Sequence, residues 1–340
     1  MRAKWHRKGS ILIFSLWILG LLTVMTVSLG AQVRQKLTFL AGLERRDKIQ
    51  QVTAAGVKKA IAVLRQDLNL YGREWNPSAK KTRFNNPGQF SGIPVGEGMC
   101  EVTYEVSEGS VEPERMYGMM DEESRINLNK ADEQVVKRLL ASVVAFPEED
   151  RDRLAVAILD WRKFGSSELS GFYSDDYYEN LKDPYPVKDA AYETLDELLL
   201  IRGMTREIFE KLRDFVTVHG EGRVNVNTAP KPVLLALGLD ENVVEKIISV
   251  RRGLDQQEAT EDDFLFQRPF DIASDLRTMT SLKDEEAAQV DQINAREGLG
   301  TESFFYRIQS VGRLEGSQAS GRITCIYDAR SGKIAYWKEE

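Results

Sequence analysis

The chain has 340 residues, with 46 basic against 53 acidic side chains, a formal net charge of −7 and 42% apolar residues. The acidic balance argues against non-specific nucleic-acid binding, which needs a basic footprint to neutralise phosphates, and the apolar content argues against extensive disorder. With two histidines (His6 and His219) and no phosphate-binding loop, Gly-x-Ser-x-Gly elbow or His-Glu-x-x-His pair, there is little basis for histidine, zinc or nucleophile chemistry, and no enzyme is expected.

Arg2, Lys4, Arg7 and Lys8 precede Gly9, and no charged residue occurs from Ser10 to Gln32. One bilayer crossing takes about 20 helical residues, and a lone span must be helical to satisfy its own backbone. The basic flank holds the N-terminal end in the cytoplasm and places residues beyond about 45 on the far side. A cleaved signal peptide is the alternative, with Ser28-Leu29-Gly30 as the small-residue site before Ala31. The helical pattern continues without proline from Val33 to Leu68, through Leu37, Leu40, Leu43, Ile49, Val52, Val57, Ala60, Ile61 and Leu64. A helix over Ser10–Leu68 would be roughly 90 Å long, with an apolar first part at 10–31 and an amphipathic continuation at 32–70 that packs on a head.

Beyond this stalk roughly 280 residues remain, enough for two domains. Tyr71 to Gly98 is dense in Pro, Gly and Asn and reads as an irregular loop. Cys100–Val106 and Arg115–Met120 read as strands, as do Phe304–Leu314, Gly321–Tyr327 and Lys333–Lys338, with Arg330–Gly332 as the last turn. The fold class is therefore α+β: a long N-terminal helix packed on a small antiparallel sheet built from 71–120 and 303–340, interrupted by a helical insert over 121–302. Cys100 and Cys325 each fall in a strand-like run and are either a disulfide or two buried thiols.

Within the insert, Arg125-Ile-Asn-Leu-Asn-Lys-Ala131 and Arg223-Val-Asn-Val-Asn-Thr-Ala-Pro230 are near copies. Asn127, Asn129, Asn225 and Asn227 suit Asx caps, and Thr228 followed by Pro230 suits a helix start. Ile158–Trp161, Leu195–Met204, Ile247–Arg252 and Pro269-Phe270 complete the recurring phrases. Between the copies lies an acidic loop from Phe164 to Pro186 with Glu168, Asp175, Asp176, Glu179 and Asp183. Hard cations such as calcium take six to eight oxygens from loops of this kind, although no EF-hand spacing is present; a solvated loop is the alternative.

Lys8-Gly9 ahead of the apolar run resembles the class III leader of type IV pilins and of the pseudopilins of type II secretion. The insert phrases, in their order, resemble the large minor pseudopilin family of that system, general secretion pathway protein K, across nearly the full chain. The resemblance implies cleavage by a prepilin peptidase between Gly9 and Ser10, N-methylation of Ser10, and retention of the whole helix. The family of major pilins carries glutamate at the fifth mature position, where this chain has Phe14. Without a carboxylate to neutralise a neighbour's terminal amine inside the membrane, such a subunit is suited to the first place, at the tip. The resemblance thus implies a single-pass protein of the bacterial inner membrane with a periplasmic C-terminal part, nucleating or capping the secretion pseudopilus. Its partners would be other minor pseudopilins, met through helix packing with Gly20, Ser28 and Gly30 allowing close approach, and the inner-membrane assembly platform. Protein K relatives bind calcium in the region of the acidic loop. This chain departs from them after Asp160-Trp161, continuing Arg162-Lys163-Phe164 where relatives carry further aspartates.

The same phrases resemble helix–hairpin–helix repeats, so the rival reading is a membrane-anchored DNA receptor. Its hairpin would be Arg202-Gly203-Met204-Thr205, with Arg202, Arg206, Arg251 and Arg252 facing phosphate. Asp196, Glu197, Glu207 and Glu210 offset that charge, and packing between helices is the competing role for the hairpins.

Overall fold

The computed structural model describes residues 10–71, 85–106, 114–145, 147–163, 176–256 and 262–340. Helix α1 (Ser10–Tyr71) runs unbroken for 62 residues, about 93 Å at 1.5 Å per residue. From Leu12 to Leu43 its apolar side chains stand in solvent. Over this stretch the hydroxyls of Ser15, Thr23 and Thr26 donate back to the carbonyls of Leu12, Leu19 and Leu22, so they are satisfied within the helix. Further along, Ile49, Val52, Val57, Ala60 and Leu64 recur at helical spacing and are buried.

In chain order the strands are β1 (Ile93–Val95), β2 (Gly98–Val106), β3 (Glu114–Tyr117), β4 (Met120–Asp121), β5 (Ile126–Asn127), β6 (Val216–Thr217), β7 (Val224–Asn225), β8 (Leu299–Gly300), β9 (Phe305–Leu314), β10 (Ser320–Asp328) and β11 (Lys333–Glu339). The order β1-β2-β9-β10-β11, with β3 on β2 and β4 on β9, makes an antiparallel sheet on which the lower half of α1 lies. Leu64, Phe90, Val102, Tyr306, Ile308, Ile323 and Tyr327 fill the space between them. Close approach depends on Gly312: a Cβ there would sit 2.7 Å from the Thr53 amide nitrogen and 2.9 Å from its Cα. Beside it, Ser310 Oγ donates 2.8 Å to the carbonyl of Thr53, closing a polar contact buried under the helix.

The structure differs from the sequence expectations at two places in this head. The stretch expected to be irregular contains a helical turn, Pro87–Phe90, and strand β1, which Gly96 (φ +56°) folds back onto β2. The disulfide option is not realised, because Cys100 and Cys325 are both free and buried. Cys100 pairs with Gly312 and Cys325 with Ile308, on opposite sides of β9. Two strand spacings and four residue rises put them about 16 Å apart, beyond the roughly 7 Å that a disulfide spans.

The insert is built from helices α2 (Glu133–Val143), α3 (Glu148–Arg162), α4 (Arg206–Leu212), α5 (Lys231–Ala236), α6 (Glu241–Arg251), α7 (Ile272–Met279) and α8 (Asp284–Ala295) around one apolar core, separate from that of the head. It is not purely helical. Each Asn phrase opens on a short strand paired in parallel with a later one, β5 with β6 and β7 with β8. The helix after the first phrase is capped instead by Asp132, which accepts from the Val135 amide, while Asn127 and Asn225 close Asx turns with the amides of Asn129 and Asn227.

The two phrases head two equivalent units. Asn129 Nδ2 donates to the carbonyls of Tyr192 and Val218, and its Oδ1 accepts from the Tyr192 amide. Asn227 does the same with the carbonyls of Phe266 and Thr301 and the Phe266 amide. In the first unit Arg162, at the end of α3, donates to the carbonyls of Leu128 and Ala131; in the second Arg251, at the end of α6, donates to those of Val226 and Ala229.

Candidate assembly helix and acidic hinge

Of the residues singled out for processing and assembly, Gly9 lies outside the described residues, Ser10 is the first residue of α1, and Phe14 is 69% exposed on its apolar half. A Cβ added at Gly20 or at Gly30 would likewise meet nothing within 4 Å, so the helix is open at both positions. The helix is long and apolar enough to cross a membrane.

The acidic loop is described only in part. Glu168 and Asp175 lie outside the described residues, Asp176 opens a helical turn (Asp176–Glu179), and Glu179 and Asp183 are exposed. Among the described residues no group of three or more His, Cys, Asp or Glu is gathered as a metal site would require. Beside this segment Trp161, Tyr178 and Tyr185 pack ring to ring, and Trp161 Nε1 donates to Glu197. Arg202 of the hairpin lies 4.5 Å over the Tyr177 ring, and its amide donates to Tyr178 Oη. Arg251 is 4% exposed and turned inward, and Arg206 lies 3.7 Å from Glu210. Arg202, Arg206 and Arg251 are thus engaged with protein, which favours packing as the role of the hairpins.

The most concentrated chemistry in the structure is at a place the sequence did not flag. Asp121, Glu122 and Glu123 are consecutive and all buried, at the point where the chain passes from head to insert. Asp121 caps the 3-10 turn Glu122–Ser124 by accepting from the Glu123 amide, and its Oδ2 accepts from Asn225 Nδ2 at 2.7 Å, Thr228 Oγ1 at 2.6 Å and Ser303 Oγ at 2.6 Å. Glu122 receives the fork of Arg307, Nε at 2.9 Å and Nη2 at 2.6 Å, and the Thr217 hydroxyl at 2.8 Å, with Arg125 Nη1 3.5 Å away. Glu123 accepts from the amides of Phe304 and Glu221.

Each acid therefore ties a different part of the chain: Asp121 the second unit, Glu122 the first unit and β9, Glu123 the returning strand and the loop after β6. Burial opposes ionisation of Glu122, but the Arg307 and Arg125 guanidiniums outweigh it and hold its carboxyl down at about 2. Burial pushes Asp121 up against four donors that work the other way, and likewise raises Glu123. Burial also draws Arg125 down to about 10.

An apolar helix long enough to cross a membrane, laid by its second half on an antiparallel sheet that carries a helical insert, defines a pilin-like α+β fold. Residues 119–221 match the family model of type II secretion system protein K, first domain. That stretch begins just before the acid turn and ends at Glu221, so it spans the first of the two units. The fold is similar to a chain of the crystal structure of the GspK-GspI-GspJ complex from the enterotoxigenic Escherichia coli type 2 secretion system, at a TM-score of 0.61 and 13% identity, over 88% of this chain and 99% of that one. No curated protein matches the chain. Residues 119–221 are thus similar to the first domain of type II secretion protein K, in a chain that carries a helix long and apolar enough to cross a membrane.

Proposed function

We propose that this protein is the minor pseudopilin at the tip of a type II secretion pseudopilus, where it nucleates or caps the fibre during protein export. What carries this reading is α1: its membrane-length half is bare of protein partners while its second half is fixed to the head. An apolar helix face left open in one subunit is completed by the helices of others, through close packing rather than through a hydrophobic drive within lipid. The partners would be other minor pseudopilins; the similar structure is itself a complex of GspK with GspI and GspJ. Phe14 offers no carboxylate to a neighbour's terminal amine, and the bulky insert is hard to repeat along a tightly wound fibre; both favour the end position. The membrane would be the inner membrane, with Ser10 on the cytoplasmic side after peptidase cleavage behind Gly9, and the head and insert in the periplasm near the assembly platform's outer face.

The test is the intact mass and N-terminal sequence of the protein from membranes of cells carrying the processing peptidase. A chain that starts at Ser10 and is heavier by one methyl group is expected. A start at Ala31 would remove the assembly helix and overturn the proposal. An uncut chain would direct the next test to DNA binding of the full-length protein as salt is raised, since a phosphate binder must weaken steeply.

A further inference from the structure

The insert hangs from the head by two chain crossings that lie side by side. The outgoing one is β4 and the acid turn, and the returning one runs from β8 through Ser303 and Phe304 into β9. They are paired where they meet, Met120 with Arg307 and Asp121 with Tyr306. Among the described residues, the buried apolar side chains of the head and those of the insert form two separate cores. Between the cores lies a polar layer, made of the three acids and the donors that converge on them from both bodies.

We propose that this layer is a charge-locked hinge: the head and the insert are two stably folded bodies whose relative attitude is set by the Asp121–Glu122–Glu123 turn and released when its bonds are broken. The physical basis is the kind of interface it makes. An apolar contact can slide at graded cost, whereas a buried carboxylate either keeps its full donor set or is left with an uncompensated charge. Such a joint has one allowed attitude and opens in a single step. Two adjacent crossings also define an axis, since only a few residues need to change their backbone angles for the insert to swing.

The lock has a buried part and an outer clasp. Glu122 is fully buried and Arg307 nearly so. On the outside, Arg330 in the β10–β11 turn pairs with Glu221 and lies 4.0 Å over the ring of Phe304. The amides of those same two residues, Glu221 and Phe304, are the ones that Glu123 accepts. Glu123, Phe304, Arg330 and Glu221 thus form a closed ring through hinge, returning strand, head and insert.

Hydrogen exchange read by mass spectrometry on the full-length protein in detergent tests this with E122Q and T217V. E122Q removes the charge that pairs with Arg307; T217V removes the donor from the insert and also the acceptor of the His219 amide, so its hinge readout is taken at 123–128 and 303–306. In both, exchange of the amides at 123–128 and 303–306, and in E122Q also at 217–221, is expected to rise, by tenfold or more in E122Q and less in T217V. Protection in α2, α3, α5 and the β9–β10 pairing should be unchanged. Should E122Q lose protection throughout, T217V decides alone. Unaltered exchange at the neck in both variants, or loss throughout in both, overturns the proposal.

Discussion

Asn129 and Asn227, 98 positions apart, make the same three hydrogen bonds to different partners: two donated to carbonyls and one accepted from an amide. Each knits the end of its phrase to the two segments that close its unit. Three bonds to a partly buried amide, at about 1 kcal/mol each, give an expected loss of about 2–4 kcal/mol for Asn129→Ala or Asn227→Ala. Asn→Asp should cost more at either site, because a carboxylate would face two carbonyl oxygens. Chemical denaturation of the full-length protein in detergent, with local exchange to assign the loss to one unit, checks both.

Gly312 sets how closely α1 lies on the sheet. Gly312→Ala would push a methyl group into the Thr53 backbone and is expected to destabilise by about 1–3 kcal/mol. Gly42→Ala, on α1 itself, is the control. Nothing lies within 4 Å of that position, so removing a helix glycine should stabilise by up to about 1 kcal/mol. Thermal unfolding midpoints should therefore move in opposite directions.

The acid turn predicts an unusual pH profile. Glu122 has its carboxyl lowered to about 2, so its contribution is present above the ordinary glutamate range, near 4.5, and is lost as pH falls from there through 2. Its size at neutral pH is on the order of 3 kcal/mol. Asp121 and Glu123 are raised, so their contributions run the other way, full at low pH and lost as pH rises through their folded values. The stability difference between wild type and E122Q should be constant from pH 7 to about 5 and shrink below it. Wild type minus D121N should instead increase as pH falls. Parallel curves for the two would sink this assignment.

The thiols give a simple check. Burial pushes Cys100 up to about 11 and Cys325 up to about 12, so neither is a thiolate at neutral pH. Neither should react with a maleimide in the folded protein, both should react after denaturation, and reductant should leave gel mobility unchanged. A reductant-dependent shift would contradict the separation set by the β9 register.

Elements held by local patterns were readable in advance. Helix α1 followed from its lack of proline and its apolar spacing, and β2, β9, β10 and β11 from alternating runs, because each depends on neighbours along the chain. The duplicated Asn phrases were visible too, but their role was not. Their strands pair with Val216–Thr217 and Leu299–Gly300, each two residues long and without a periodicity of its own. Arg162 stood out only as a departure after Asp160-Trp161 and Arg251 only as part of the Ile247–Arg252 phrase; the fold alone shows that both are ties from a helix end. The acid turn was the least legible. Three successive carboxylates between a strand and a turn look like a solvated corner, and their burial depends on Thr217, Asn225, Phe304 and Arg307, which lie 95 to 185 positions away.

Because α1 is one unbroken helix from the membrane-length segment to the sheet, it is also a shaft. Its lower half is gripped by β9 through Gly312 and Ser310, so the head cannot turn independently of it. A neighbouring helix that settles one residue further along α1 would raise the head by about 1.5 Å and rotate it by about 100°. In the proposed assembly, where the stalk seats among its neighbours would therefore determine both the height of the insert above the membrane and the direction it faces.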